Sequence, residues 1–315
     1  MKHEIETAYV GVGSADPAAI ARYLKDVVGL MPGEPTSDGD LSFRVDGKAH
    51  RVIVQQAARE DATFIGFVAV DEEAFERVAR RLRDHDVELT AGDVDRCRAR
   101  RVERLFSMRT PWGIPVELVL GLQEASTPFH SDSYRGGFVT EGQGFGHVVL
   151  GLGDEATYEA SRRFAIDALG LELSDWLNMP IGPVNMHVSF LHCNPRHHSL
   201  ALACVPLGPP PQTLHHINFE VASVDPVGAA LERALQSRTR VANLIGKHQN
   251  DGMVSFYSTS PGGWHVEIGA TGRTIGDDWN DVREYQRISE WGHQPPQVLA
   301  QMQPAAAAGI VRSAS

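Results

Sequence analysis

Tyr9-Val-Gly-Val-Gly13, with the helical stretch after it that stops at Val-Val-Gly-Leu30, returns later as Val149-Leu-Gly-Leu-Gly153 with a helical stretch that stops at Ala-Leu-Gly-Leu171. Both read strand, polar turn, amphipathic helix, Gly-Leu stop. A second pair follows in the same order. Ile65-Gly-Phe-Val-Ala-Val70 leads through Asp71 into a helix rich in Ala, Arg and Leu; Ile217-Asn-Phe-Glu-Val221 leads through Ala-Ser-Val-Asp225 into a helix of similar composition. A third pair closes the match. Pro111-Trp-Gly-Ile-Pro-Val-Glu117 parallels Pro261-Gly-Gly-Trp-His-Val-Glu267, with Pro and Glu six apart in each. Chance does not keep three landmarks in one order, so a module of roughly 120–150 residues is written twice.

Each copy holds two strand–helix units and a hairpin-like end, which makes the chain α+β with two tandem modules. The expected division is an N-terminal module over 1–125 without a metal site, a Gly/Ser/Pro-bearing linker over 126–144, a C-terminal catalytic module over 145–307 and a flexible Ala/Ser-rich tail over 308–315. The 315 residues suit two cores better than one. Hydrophobic residues make up 42% and charged residues 22%, a globular composition and not a disordered one. No apolar run approaches the ~18 residues that cross a bilayer. The N-terminus lacks the apolar stretch of a signal peptide. Cys97, Cys193 and Cys204 are odd in number and fit no zinc spacing, so they read as reduced thiols. A cytoplasmic location, with no membrane partner, is the expectation. The formal charge is −11 and the basic residues are scattered, which argues against a nucleic-acid partner.

The two copies differ where chemistry would lie. His147 pairs with Thr7, His216 with Phe64, and Glu267 with Glu117. The second copy therefore has two imidazoles and a carboxylate at landmark positions, and the first keeps only the carboxylate. Of fourteen histidines, ten fall between His147 and His293. Two imidazoles and one carboxylate leave coordination positions open, which lets Fe(II) take a substrate and O2 together. The same donors suit Mn(II), and ligand type alone does not exclude zinc. On its strand His147 shares a face with Val149 and Gly151, His216 with Asn218 and Glu220, and Glu267 with His265. His215 is expected on the opposite face from His216, and His265 is the nearest rival ligand. A lone strand histidine is more often a satisfied polar group than a ligand. The metal reading rests on the three residues together and on their loss from the other copy.

These residues resemble a known family. Gly-Phe-Gly-His147-Val-Val-Leu, Leu-His215-His216-Ile-Asn-Phe-Glu-Val and the run from Gly246 to Glu267 resemble the type I extradiol ring-cleavage dioxygenases of the vicinal oxygen chelate superfamily. The likeness covers most of the chain and is nearest the enzymes acting on 2,3-dihydroxybiphenyl and related bicyclic catechols. Ser260 departs from the family's usual residue, in a turn. The family implies paired βαβββ units forming a cupped, barrel-like sheet in each module, with iron in the second. It implies Fe(II), with Mn(II) as the alternative metal, O2 as co-substrate, a catecholic substrate and a homo-oligomer.

Further roles follow from the resemblance. Phe190-Leu-His192-Cys-Asn-Pro-Arg-His197-His198 matches the segment with the acid–base histidine, and the matching position is His198. An imidazole suits proton transfer near neutral pH. His192 and His197 are expected to be structural. His248 and Tyr257 match groups that hydrogen-bond a bound catecholate. Asn250 and Asp251 match substrate-side positions, although Asn-Asp-Gly252 is also a turn sequence. Val149 and Phe190 match the wall of the ring pocket, although core packing is the commoner use of such residues. Trp291-Gly-His293 looks like the family's C-terminal segment. Two rivals keep the fold and change the chemistry: a glyoxalase-like isomerase or thiol-transferring enzyme, and a non-enzymatic small-molecule binder.

Overall fold

The computed structural model describes residues 3–276 and 279–298. The expected tail over 308–315 lies outside the described residues. The first copy runs β1 (Ile5–Ser14), α1 (Pro17–Arg22), β2 (Met31–Pro32), β3 (Leu41–Arg44), β4 (Val52–Gln56), then β5 (Ala62–Ala69), α2 (Glu72–Asp84), β6 (Thr90–Ala91), α3 (Val94–Arg100), β7 (Arg104–Met108) and β8 (Val116–Leu120). The second runs β9 (His147–Leu152), α4 (Glu155–Arg163), β10 (Glu172–Ile181), β11 (Val184–His192), β12 (Leu200–Cys204), then β13 (Leu214–Val221), α5 (Val224–Gln236), β14 (Val241–His248), β15 (Val254–Thr259) and β16 (His265–Ala270). Two short strands follow, β17 (Glu284–Tyr285) and β18 (Ser289–Trp291).

The copies match down to a local irregularity. α1 and α4 both loosen into π-helical turns, over Tyr23–Val28 and Phe164–Ala168. In each, a later N–H closes the turn, Leu30 onto the Leu24 carbonyl and Leu171 onto that of Ala165. Asp71 and Asp154 cap α2 and α4 by accepting from the N–H groups of Ala74 and Thr157, a cap worth about 1 kcal/mol. α2 then buries Ala74, Phe75, Val78, Ala79 and Leu82, the helical stripe that the Ala/Leu pattern promises.

The first module makes an eight-stranded sheet and the second a ten-stranded one. In both, the opening strand runs parallel to the fourth and antiparallel to the fifth: β1 with β4 and β5, β9 with β12 and β13. The first module departs from plain βαβββ units, because α3 is inserted between β6 and β7. The short strands β17 and β18 lie at opposite edges of the larger sheet and are only three residues apart in sequence. Residues 286–288 therefore cross from one edge of the curled sheet to the other. Residues 126–144 hold no helix or strand, apart from one bridge between Phe138 and Val221.

The modules lean on each other. The Asp61 carboxylate accepts the N–H groups of Thr213 (2.9 Å) and Leu214 (2.8 Å), fixing the start of β13. Arg233 donates to the Val27 carbonyl at 2.8 Å, and Arg81 to that of Leu169 at 2.9 Å.

α3 explains what became of the first copy's carboxylate. Glu117 is fully buried, and its oxygens accept from Tyr9 Oη (2.7 Å), Arg100 Nε (3.0 Å) and Arg96 (2.9 Å). The Arg100 guanidinium sits over the ring of Phe64, 3.8 Å from its centroid, and Phe64 stands where the other copy has His216. Guanidinium groups neutralise the carboxylate here. Arg100→Met should cost about 3 kcal/mol of stability, because it leaves a buried carboxylate short of its partner. Urea unfolding measures this, and a midpoint equal to the parent's would refute it.

Candidate metal centre and active site

The triad converges because of strand register. β13 lies between β9 and β16. Asn218 on β13 stands directly opposite His147 on β9 and opposite Glu267 on β16. The three residues form one row across the sheet and share a face. His216 lies two residues before Asn218 on the same strand, so it points to the same side. His147, His216 and Glu267 are all buried. The two Nε2 atoms are 3.3 Å apart, and Glu267 Oε2 lies 3.2 Å from His147 and 3.4 Å from His216. Asn218 Nδ2 donates to the same oxygen at 3.0 Å.

That donor set fits a metal ion. One ion can touch all three atoms at the ~2.0–2.2 Å bond lengths of imidazole and carboxylate ligands. The two ring nitrogens face each other at 3.3 Å and share Glu267 Oε2 as a polar neighbour, so all three donor atoms point at one place. The second imidazole nitrogen of His216, Nδ1, lies 2.7 Å from His215 Nδ1. With Nε2 bare toward an ion, Nδ1 carries the proton and donates, the usual orientation of a metal-bound histidine. Burial pushes His147 down to about 4, which keeps it neutral at pH 7. Burial alone would raise Glu267, but the His147, His216 and His248 rings around its carboxylate hold it well below the usual carboxylate range.

His215 corrects an expectation. It does not simply turn away from His216. The pairing of β13 with β9 slips between Leu214 and His216, and the bulge brings the His215 ring beside its neighbour and onto the cavity wall. His265 lies on β16 and is not in the triad.

The remaining candidates line the same space. A cavity of about 220 Å³ is bordered by the triad and by Val149, Phe190, His198, His248, Asn250, Asp251 and Tyr257. His198 lies against His147, with ring centroids 3.9 Å apart, and its Nδ1 is 4.0 Å from Asp251 Oδ2. Burial, followed by the neighbouring His147 and His197, pushes its pKa well below the ordinary value. His248 presents Nε2 to Tyr257 Oη at 2.8 Å and to Glu267 Oε1 at 3.1 Å, while Nδ1 donates to the Ile288 carbonyl at 3.1 Å. Burial opposes charge on His248, yet the Glu267 hydrogen bond and the Asp251 charge raise it to about 9. Burial and the Glu267 charge hold the Tyr257 phenol well above its usual value, so it keeps its proton. Met186, Val188 and Ala203 add an apolar wall.

Several contributors carried no sequence signal as plain as the triad's. Asp175 is fully buried, with Oδ1 accepting from Asn250 at 3.2 Å and Oδ2 lying 3.0 Å from His197 Nε2. It thus ties β10 to the segments of Asn250 and His198. His197, His198 and Asp251 form a second cluster of metal-type donors, in which His197 Nδ1 lies 3.2 Å from His198 Nδ1. Ser255 donates to Glu267 Oε1 at 2.6 Å. Period-two reading from Tyr257 puts Ser255 on the cavity side of β15. Nothing comparable marks Asp175.

Comparison with known proteins gives concordant matches. The family model described as Glyoxalase/Bleomycin resistance protein/Dioxygenase superfamily matches residues 128–268, and one described as Dihydroxybiphenyl dioxygenase BphC D1 matches residues 8–56. Biphenyl-2,3-diol 1,2-dioxygenase of Metapseudomonas furukawaii is 38% identical over 288 residues, 91% of this chain and 92% of that protein. An iron-dependent extradiol dioxygenase of Rhodococcus jostii is 32% identical over 91% of this chain and 95% of its own. Among solved structures, 2,2',3-trihydroxybiphenyl 1,2-dioxygenase of Sphingomonas wittichii superposes with a TM-score of 0.79 at 28% identity, covering 93% of this chain and 99% of that one.

Proposed function

This chain belongs to the extradiol dioxygenases of the vicinal oxygen chelate superfamily, and from that footing we propose how its own residues divide the work. The activity is Fe(II)-dependent extradiol cleavage of an aryl-substituted catechol by O2, in which the ring opens beside the two hydroxyl carbons and not between them. We read His147, His216 and Glu267 as the metal ligands. The observation that carries this is the meeting of two ring nitrogens and one carboxylate oxygen within 3.4 Å on one buried sheet face. We assign the chemistry to the module over 145–307, with 1–125 as its scaffold and 126–144 as the connector.

Iron at this site supplies a route for electrons between the catechol and O2, and it acidifies the bound hydroxyl. The protein's part is orientation and proton transfer. His198 is neutral and faces the cavity, so it can take a proton from a catechol hydroxyl and return it when the ring opens. His248, held as a cation, donates from Nε2 toward Glu267 and Tyr257. The Tyr257 hydroxyl can accept that bond and still aim its own proton at a catechol oxygen. Charge-assisted bonds of this kind are strong where water is excluded. Val149 and Phe190 pack on the catechol ring, and Asn250 and Asp251 close the polar end. The apolar wall of Met186, Val188 and Ala203 receives the aryl group. The three unpaired cysteines support a reducing, cytoplasmic location, and the family likeness supports a homo-oligomer.

The decisive experiment is anaerobic loading with Fe(II), then O2 uptake and visible absorbance with 2,3-dihydroxybiphenyl, 1,2-dihydroxynaphthalene and catechol in parallel. Uptake of one O2 per substrate with a yellow product is expected. A folded, iron-loaded protein inert toward all three would refute the function. The pocket assignment has its own test. Ala203→Phe takes space from the aryl wall, so KM for 2,3-dihydroxybiphenyl should rise at least about 10-fold more than KM for catechol. An equal change for both substrates would remove Ala203 from the pocket.

A further inference from the structure

We propose that His293, two residues past β18, is a positioning residue that fixes the outer oxygen of Glu267 through Ser255. The inference rests on Glu267 being a metal ligand, as read above.

Glu267 offers its two oxygens to different tasks. Oε2 faces His147 and His216, and Oε1 is held from behind by Ser255 Oγ at 2.6 Å and His248 Nε2 at 3.1 Å. His293 touches both of these supports. Its Nε2 is 3.1 Å from Ser255 Oγ and 3.2 Å from the Ser255 carbonyl, and its ring lies over that of His248 with centroids 4.2 Å apart.

The proton directions follow from elementary valence. A carbonyl only accepts, so His293 Nε2 carries the hydrogen and is the donor to Ser255. Ser255 has one hydroxyl proton and gives it to the Glu267 carboxylate, so its oxygen accepts from His293. Nδ1 of His293 is then bare and accepts from Ser289 Oγ at 2.7 Å. The result is a one-way chain of donors: Ser289, His293, Ser255, Glu267. Every hydroxyl and ring proton in it has a single sensible direction.

The backbone is shaped to deliver this imidazole. His293 has φ +50, a left-handed conformation that costs a non-glycine residue energy. A Cβ on Gly292 would run into Gly246, and a Cβ on Gly246 would run into the backbone nitrogen of His293. Two glycines thus let the segment press against β14 where the ring must enter. Strain and close approach at one point, ending on a ligand's second oxygen, are what a tuning contact needs.

The test is Fe(II) affinity of the full chain, measured anaerobically by competition with a chromogenic chelator. His293→Phe keeps the ring on His248 and removes both hydrogen bonds. It should weaken Fe(II) binding roughly 10-fold or more, within the range typical of lost outer partners. Ser255→Ala should do the same, and the double variant should be little worse than either alone. His293→Gln, whose amide can still donate to Ser255, should recover part of the loss. Fe(II) binding unchanged in His293→Phe, but weakened in Ser255→Ala, would overturn the inference. Should His293→Phe fail to fold, Ser289→Ala takes its place: it loosens only the far end of the chain and should weaken iron in the same direction, and no effect would count against the proposal. His147→Ala is the reference. If it binds Fe(II) as tightly as the parent, the ligand assignment itself fails, which is a different result.

Discussion

His216→Ala is expected to abolish O2 uptake on every catechol and to strip the protein of tightly held Fe(II). In the proposed assignment His216 is one of three protein donors, and its Nε2 lies within 3.4 Å of both others. Losing an outer partner costs roughly 10–100-fold in metal affinity or activity, and losing a ligand should exceed that. The fold should survive, because the side chain sits at the cavity wall while the β13 ladder is made by backbone groups. Iron content after desalting and circular dichroism make the comparison. A His216→Ala protein that retains stoichiometric iron would show that the ion is held elsewhere, and the cluster of His197, His198 and Asp251 would be examined next.

His198→Phe should separate chemistry from metal binding. The ring stays against His147, and no ligand is touched, so iron content and catechol affinity should hold. What disappears is a neutral nitrogen able to accept and return a proton, a role worth typically 10²–10⁴-fold in rate. Steady-state kinetics of the iron-loaded variant should show that fall in kcat with KM nearly unchanged. Equal losses in iron content and kcat would instead mean that His198 supports the centre and moves no proton. The opposite pattern, a raised KM with kcat intact, would mark it as a binding group only.

Together the two expected outcomes would assign separate jobs to neighbouring imidazoles. That distinction rests on which atoms face which. His147 and His216 turn bare nitrogens toward a carboxylate oxygen. His198 faces the cavity and lies 4.0 Å from its nearest acidic oxygen. His248 is different again, with one nitrogen on the Ile288 carbonyl and the other between Tyr257 and Glu267. These four of the pocket's six histidines are thereby held in three electrostatic settings.

The sequence by itself determined the duplication, the α+β class and the contrast between the copies. Period-two and helical patterns are local, and three landmark pairs in one order survive without knowledge of any contact. That both histidines are missing from the first copy could be read from alignment of the halves alone, but the register puts Tyr9, and not Thr7, at the place of His147, because Tyr9 pairs with Gly66 as His147 pairs with Asn218. The rest needed the fold. That His147, Asn218 and Glu267 share a row depends on the pairing of β13 with both β9 and β16, and register is a property of strands far apart in the chain. The bulge that turns His215 toward its neighbour has the same origin. Arg96 and Arg100 reach Glu117 only because α3 is inserted beside it, so their role as its counter-charges could not be seen from spacing. Asp175 and His293 lie far from the triad in sequence and meet its supports only after the sheet curls and residues 286–288 cross from edge to edge. Local pattern names the elements and the ligand types. Which oxygen meets which nitrogen is decided by long-range pairing, because that alone sets distances of a few ångströms between residues a hundred positions apart.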